Sequence, residues 1–548
     1  MSVAKQASGT NKGSCVAATE LSARAASGRA APARTASLIA IWLVAAAPFL
    51  IVSLPPVMDL PNHLTRIWLL AGGLDHPPLA QMYEARWGQA ATNVFVDLIG
   101  VGLAHLVPIA AVGKVLLLAM FFGPPLAALK LHTKLFGRTG WWALAGIAIV
   151  WSTTAVTGLI SYQIALTAAL GVAAWLHPLT DLRRRLIVVA LGAAVLLFIH
   201  PFGALFFLLL LTGLALGPRV PLRAQWPQLA RRIAALTLAC LVPVVVLILV
   251  APHPPSAHGT HQEFMHWQAW KTTFSPTTIG LVILSPFLSY KASLDLVLAL
   301  PLFGVIAWAA YRRQLEIHAG LLLVAAALEV VSPFLPMNIG DGGALVIRFP
   351  EMAALLGLAG VRPAFRAPHH QSIFAGVLVL AALLRIGSIG WTWHLRDADY
   401  DQLKSVARAL PPGASVLLLQ QHWSESEGTP IGRLIAGFPS GRCASERHYA
   451  SLIVMWRQVF IPSLFTVPGQ QPLAVKPAYR DKAVYSTGIP FIGDMNTASR
   501  RQFDPYLDHW QKKYDYVLLL NADLGRTPLP GTRIVADSGF ARLYQVNR

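Results

Sequence analysis

Four polar residues stand together after the first long hydrophobic stretch, in the segment Asp59-Leu-Pro-Asn-His-Leu-Thr-Arg66. Asn62, His63 and Arg66 follow three, four and seven residues later, a spacing that places them on the helix face carrying the carboxylate. We predict that these three residues bind the substrate. Asp59 has the chemistry to activate a hydroxyl acceptor as general base, or to hold a divalent cation such as Mg²⁺ or Mn²⁺. The structural alternative is an aspartate that caps a helix, with His63 and Arg66 contacting lipid headgroups.

A second candidate lies far along the chain, where Arg348 follows the glycine-rich run Gly340-Asp-Gly-Gly343 and precedes another hydrophobic stretch. A guanidinium at this position can bind a phosphate or diphosphate through two parallel hydrogen bonds. We therefore predict that Arg348, with Asp341 beside it, contacts an anionic substrate. The alternative is that Arg348 forms an ion pair with Asp341 or Glu351.

A histidine-rich segment, residues 251–276, is the third candidate. His261 and Glu263 belong to a dense group of possible metal ligands, but their spacing is irregular and matches no known ligand pattern. Asp59, His261 and Glu263 are therefore the residues to which a metal hypothesis applies. The three cysteines fall in three different regions, which excludes a CxxC-type metal site and a disulfide within the C-terminal part.

The elements that position these residues are membrane helices. Of the residues of the chain, 55% are hydrophobic and 13% are charged, whereas about a quarter of the residues in soluble domains are charged. Uncharged runs recur at lengths close to the roughly 20 residues that a helix needs to cross a bilayer. We predict an all-α membrane domain of about 10–12 transmembrane helices.

Charge patterning predicts the topology. The net charge of +19 arises from Lys and Arg clusters between hydrophobic runs, which indicates membrane orientation rather than binding to nucleic acid. This pattern predicts a cytoplasmic N-terminus and an external C-terminal part. Residues 93–129 are in conflict with it, because they look long enough for two crossings and would then place the basic segment 130–138 outside.

Three parts are expected along the chain. Residues 1–37 are predicted to be a disordered basic cytoplasmic tail, and residues 38–393 a membrane domain with external loops near 59–92, 253–276 and 336–348. The first of these loops is expected to begin with an amphipathic helix in the membrane interface. Residues 394–548 are predicted to be a small extracytoplasmic α/β domain, with a helix at 397–410 and strands at 414–420, 514–520 and 541–546.

This arrangement resembles the GT-C glycosyltransferases, which transfer a sugar from a polyprenyl-phosphate carrier on the outer face of the membrane. The likeness covers most of the chain and rests on Asp59 after the first span, the helical first loop and the α/β C-terminal part. The string Asp-x-Pro-Asn-His-Leu-x-Arg also resembles one found in uncharacterised bacterial membrane proteins near this superfamily. By resemblance, Asp59 takes the role of the first-loop catalytic or metal-binding carboxylate, and Arg348 that of a late-loop contact to the carrier phosphate. Many members carry a second acid in another early loop, and the turn at residues 152–163 has none.

The resemblance implies an inverting hexosyl or pentosyl transfer in the bacterial inner membrane, from a polyprenyl-phosphate sugar to an envelope glycan or lipid. Two alternatives remain. One is a flippase for a lipid-linked sugar, which would use the same headgroup contacts but has no matched broken helices in two halves here. The other is a non-catalytic envelope-assembly protein that uses its C-terminal part to bind a partner.

Overall fold

A computed structural model describes residues 34–219, 223–251, 265–266, 276–336, 338–339, 344–421, 445–484, 489–495 and 505–548. Asp341, His261, Glu263 and most of the predicted N-terminal tail lie outside these ranges.

Helices make up most of the described chain. In chain order the α-helices are Arg34–Ala45 (α1), Leu60–Leu70 (α2), Pro77–Met82 (α3), Phe95–Ala104 (α4), Ile109–Phe136 (α5), Ile147–Val150 (α6), Thr153–Thr157 (α7), Ile160–Leu176 (α8), Leu182–Ile199 (α9), Pro201–Leu216 (α10), Trp226–Val250 (α11), Pro276–Leu284 (α12), Ala292–Tyr311 (α13), Ala319–Val331 (α14), Leu345–Gly360 (α15), Pro368–Ala407 (α16), Leu452–Arg457 (α17) and Trp510–Lys513 (α18). The strands are Tyr83–Ala85 (β1), Met265–His266 (β2), Leu315–Ile317 (β3), Asn338–Ile339 (β4), Val361–Pro363 (β5), Val416–Gln420 (β6), Leu473–Val475 (β7), Tyr516–Leu520 (β8), Thr532–Asp537 (β9) and Ala541–Val546 (β10).

Five helical segments among these residues are long and apolar enough to cross a membrane. They are α5, the run Gly140–Thr157 containing α6 and α7, the run Arg223–Val250 ending in α11, α13 and α16. Shorter apolar helices accompany them: α1, α4, α8, α10 and the run Ala319–Phe334 containing α14. Only 17% of the apolar window of Arg223–Val250 is buried by protein, so the rest needs the apolar surroundings that a bilayer supplies. The predicted helical membrane domain is therefore confirmed.

Helix lengths at residues 93–129 favour one crossing over two. Helix α4 has 10 residues and spans about 15 Å at 1.5 Å per residue, about half of the roughly 30 Å hydrocarbon core. Helix α5 has 28 residues and is the only element between Asn93 and Arg138 that is long enough to cross. A single crossing by α5 places the basic segment 130–138 at the membrane face opposite to Asp59, which agrees with the predicted charge pattern. Arg362, another basic residue, donates to the carbonyl of Phe136 at 2.7 Å, at the same end of α5.

The C-terminal part contains the predicted α/β unit. The three predicted strands correspond to β6, β8 and β10, which with β9 form a sheet of order β6-β8-β10-β9. Strands β6 and β8 are parallel, whereas β10 is antiparallel to both β8 and β9. The predicted helix at 397–410 is the end of α16, which runs unbroken from Pro368 to Ala407 because no Gly or Pro interrupts residues 393–407.

The first external loop is packed between the membrane helices and the C-terminal part. Helix α2 is present as predicted, but nine of its 11 residues are buried, so it lacks the exposed polar face of a helix in the membrane interface. Leu69, Leu79 and Tyr83 belong to the hydrophobic core of the C-terminal part. Strand β1 of the loop pairs with β7, with Tyr83 opposite Val475. The loop thus holds the two halves of the molecule together.

Candidate active site

The backbone of Asp59 is fixed by the turn that contains α7. The amide of Met58 donates to the carbonyl of Val156 at 3.1 Å, and the amide of Asp59 donates to Thr157 at 3.0 Å. Gly158 closes this turn with φ +91°, and a Cβ at that position would lie 3.0 Å from the nitrogen of Asp59. Glycine is required here, because another residue would be strained and would push Asp59 away.

The carboxylate of Asp59 does not cap its helix. Asp59 occupies the N-cap position of α2 without a side-chain capping hydrogen bond, and its side chain is 13% exposed. Burial raises the pKa of Asp59 to about 7, against the opposing influence of the guanidinium groups of Arg447, Arg348 and Arg66. A carboxyl with this pKa exchanges a proton near neutral pH, as a general base must.

The other three polar residues of the first loop are held by protein groups. Nδ2 of Asn62 donates to the carbonyl of Ser463 at 3.2 Å and lies 3.1 Å from Nδ1 of His448. Nδ1 of His63 lies 3.1 Å from Nη2 of Arg66. Burial, helped by Arg66 and His448, lowers the pKa of His63 well below its ordinary value, so the ring is neutral.

Arg66 is neutralised by a carboxylate that sequence analysis did not single out. Its Nε and Nη2 donate to the two oxygens of Asp97 at 2.7 and 3.1 Å. Both side chains are almost fully buried. This ion pair ties α2 to α4, and it leaves Arg66 as a charged neighbour of Asp59 rather than an exposed contact for lipid headgroups.

Arg348 lies in the first turn of α15 and is brought toward Asp59. Its guanidinium stands 5.0 Å from the ring centres of both Tyr162 and Phe202, and Nη1 is 3.0 Å from Nε2 of His200. The hydroxyl of Tyr162 donates to the carbonyl of Arg348 at 2.6 Å. Aromatic rings on a guanidinium hold its plane in one orientation, which suits two-point binding of an anion.

Two residues of the site come from the C-terminal part, and the sequence analysis did not predict them. His448 places Nε2 3.5 Å from Oδ1 of Asp59, and Arg447 exerts the largest charge effect on that carboxyl. The ring of Phe465 packs edge-on against His448 and His63 at 5.3 and 5.5 Å. No motif surrounds residues 445–448 in the sequence, and their role depends on how the C-terminal part docks onto α2.

A second buried carboxylate, Glu351, also reaches this region. It is 2% exposed, and its side chain contacts those of Ser152, Thr154 and Gln163. These residues belong to the turn and helix that follow α6, the part of the sequence that lacks an acid of its own. Helix α15 therefore supplies a carboxylate there, one turn beyond Arg348.

A cation does not fit the described surroundings of Asp59. The charged groups that influence its carboxyl are three guanidinium groups, which disfavour a second positive charge. Within the part of the chain that the structure describes, no group of three or more His, Cys, Asp or Glu side chains could hold a metal ion.

The sequence matches no protein-family model. No curated protein matches it in sequence. Among solved structures, that of ArnT from Cupriavidus metallidurans bound to undecaprenyl phosphate is similar, with a TM-score of 0.51 and 12% sequence identity. The match covers 93% of this chain and 98% of the ArnT chain. The chain therefore has a GT-C-like membrane-protein fold with a small sheet-containing C-terminal region, as the sequence predicted.

Proposed function

We propose that this protein is a membrane glycosyltransferase that moves one sugar from a polyprenyl-phosphate carrier to an envelope glycan or lipid acceptor, at the outer face of the bacterial inner membrane. The observation that carries the proposal is the group around Asp59, a largely buried carboxyl with a pKa of about 7 that is influenced by three arginines. A similar fold binds undecaprenyl phosphate in the ArnT structure, which supports a polyprenyl phosphate as the donor here.

The proposed step is an inverting displacement. Asp59 accepts the proton of the acceptor hydroxyl as its oxygen attacks the anomeric carbon from the face opposite to the phosphate. The bond between that carbon and the phosphate oxygen breaks, and its electron pair leaves with the phosphate. Arg348 binds the departing phosphate, and Arg447 adds positive charge to the same region. Fixed positive groups of this kind stabilise charge that develops on the leaving group.

Asn62, His63 and Arg66 are proposed to shape the site rather than to bind the donor directly, since each is engaged by the protein. We derive no step through a metal ion, because the described side chains around Asp59 offer one carboxylate among guanidinium groups. Addition of EDTA to the transfer assay tests this directly, and loss of activity that Mg²⁺ or Mn²⁺ restores would contradict it.

The first experiment compares purified wild type with Asp59→Asn, using radiolabelled polyprenyl-phosphate sugars and envelope extract. Removal of a general base typically costs a factor of about 10² to 10⁴ in rate, so we expect transfer by the variant to fall into that range or below detection. Asp75→Asn is the matched control, because Asp75 is an exposed aspartate in the same loop.

Transfer by wild type and by Asp75→Asn, with loss in Asp59→Asn, supports an enzyme with Asp59 as base. Equal transfer by all three proteins would contradict that role. Absence of transfer by folded wild-type protein that still binds the carrier lipid would instead favour a flippase or an assembly protein.

A further inference from the structure

The orientation of the Asn62 side chain is determined by two backbone groups. The amide of Phe465 donates to Oδ1 of Asn62 at 2.9 Å, and Nδ2 donates to the carbonyl of Ser463 at 3.2 Å. Exchanging the oxygen and nitrogen would oppose both contacts, since a backbone amide only donates and a carbonyl only accepts. The group that faces His448 is therefore an N–H donor.

This donor determines the tautomer of His448. Nδ2 of Asn62 lies 3.1 Å from Nδ1 of the imidazole, so Nδ1 must accept and the proton of the neutral ring resides on Nε2. That nitrogen is the one 3.5 Å from Oδ1 of Asp59. Burial and the neighbouring Arg447 lower the pKa of His448 to about 3, which keeps the ring neutral at physiological pH.

We propose that His448 is a positioning residue for Asp59: held by Asn62, it directs a neutral N–H toward Oδ1 and leaves Oδ2 to take the proton of the acceptor. The inference rests on the proposed function of Asp59 as base. His448 cannot itself be that base, because its only lone pair is engaged by Asn62.

The contrast with Asp97 shows why a neutral partner suits a base. Asp97 is paired through both oxygens with Arg66 at 2.7 and 3.1 Å. Burial raises the pKa of Asp97 and Arg66 lowers it, but the guanidinium occupies both oxygens, so neither is left to take a proton from an acceptor. A single neutral N–H orients Asp59 with a smaller effect on its proton affinity. The C-terminal part thereby completes a site whose carboxylate lies in the first loop.

The test combines spectroscopy with kinetics on the full-length protein. In wild-type protein labelled with ¹⁵N-histidine, the signals of His448 are assigned as those that disappear in His448→Gln. These signals should show a proton on Nε2 and none on Nδ1. His448→Leu, which removes the donor, should lower kcat at pH 7 at least tenfold with little change in KM for the donor. The same variant should move the ¹³C carboxyl titration of Asp59 to higher pH, because the ionised form has lost the N–H dipole that faces Oδ1.

His448→Gln should retain most of the activity and the wild-type titration, since its amide supplies an N–H in place of Nε2. Thr65→Val is the folding control, because Thr65 donates to the carbonyl of Ser451 at 3.0 Å across the same junction without touching the imidazole. A proton on Nδ1, an unshifted Asp59 titration in His448→Leu, or equal loss in the Leu and Gln variants would overturn the inference. These spectra do not need turnover, so they decide the role of His448 even if wild type transfers no sugar and the proposed function fails.

Discussion

Two buried aspartates near the first loop have different surroundings, and this difference favours Asp59 as the proposed base. Asp97 has a matched guanidinium on both oxygens, whereas Asp59 has a neutral imidazole at 3.5 Å and three guanidinium groups that lower its pKa. A carboxyl that is desolvated but incompletely neutralised holds its proton more tightly, and it becomes a stronger base once ionised.

The pH dependence of transfer should report Asp59. A base acts in its ionised form, so kcat/KM should fall about tenfold per pH unit below a midpoint near 7, the pKa of Asp59. Arg447 lowers this pKa, so Arg447→Gln should move the midpoint to higher pH. The measurement is a profile of kcat/KM from pH 5 to 9, and an acid limb near pH 4 in wild type would contradict the assignment.

Arg348 should matter through the shape of its guanidinium as well as its charge. Arg348→Lys keeps the charge but loses two-point binding, and a hydrogen bond to a charged group is worth about 1.5–3 kcal/mol. We expect kcat/KM for the polyprenyl-phosphate sugar to fall about ten- to hundredfold. The control is Arg362→Lys, because Arg362 follows the C-terminal end of the same helix and pairs with partly exposed Glu316. Equal losses in both variants would indicate a general effect on folding.

At the scale of elements, close helix packing holds the site together. Helices α8 and α10 approach each other so closely that a Cβ at Gly203 would lie 2.4 Å from Cβ of Ala165. Helix α8 carries Tyr162 and α10 carries Phe202, the two rings that hold Arg348. The separation of these helices therefore sets the position of a proposed substrate contact.

Gly203→Ala should destabilise the protein, because the clash is with a short side chain that cannot move aside. Overpacking of this kind costs about 1–3 kcal/mol, and we expect a lower midpoint of thermal unfolding in detergent. Gly171→Ala is the control in α8, where a Cβ meets nothing within 4 Å; it should be neutral or slightly stabilising through helix propensity. Equal midpoints for the two variants would contradict the packing argument.

At the scale of the whole molecule, the site exists only because the C-terminal part docks onto the first loop. Tyr83 accepts from the amide of Ile461 at 3.1 Å and donates to its carbonyl at 3.2 Å. Arg396, on α16, lies 3.4 Å from Glu446, which immediately precedes Arg447 and His448. The membrane part and the C-terminal part therefore share one site between them.

The proposed topology places this site at the outer face. Alkaline phosphatase joined after Arg548 should be active in bacteria, because the C-terminal part is expected outside, whereas green fluorescent protein at that position should be dark. Fusions that end at Arg138 should give the reverse result, since α5 is the one helix between Asn93 and that residue that is long enough to cross. Phosphatase activity at Arg138 would contradict the single crossing.

The sequence by itself determined the membrane class, the helical first loop after Asp59, and the three strands of the C-terminal sheet. These features follow from local patterns, because uncharged runs, helical spacing and short apolar strands depend only on residues that are close together in the sequence. The predicted interfacial position of α2 did not match the structure, since the burial of both faces of α2 depends on distant packing. The helix predicted at 397–410 is present, but it continues the preceding long helix without a break.

Only the tertiary structure decided which groups surround Asp59. His448 follows Asp59 by 389 residues in the sequence. Glu351 contacts a turn at residues 152–154 that has no acidic residue of its own. The sequence predicts Arg66 as a substrate contact, whereas in the structure its guanidinium is paired with Asp97. Desolvation and charge act through space, so the pKa of Asp59 and the tautomer of His448 depend on contacts that no local pattern in the sequence encodes.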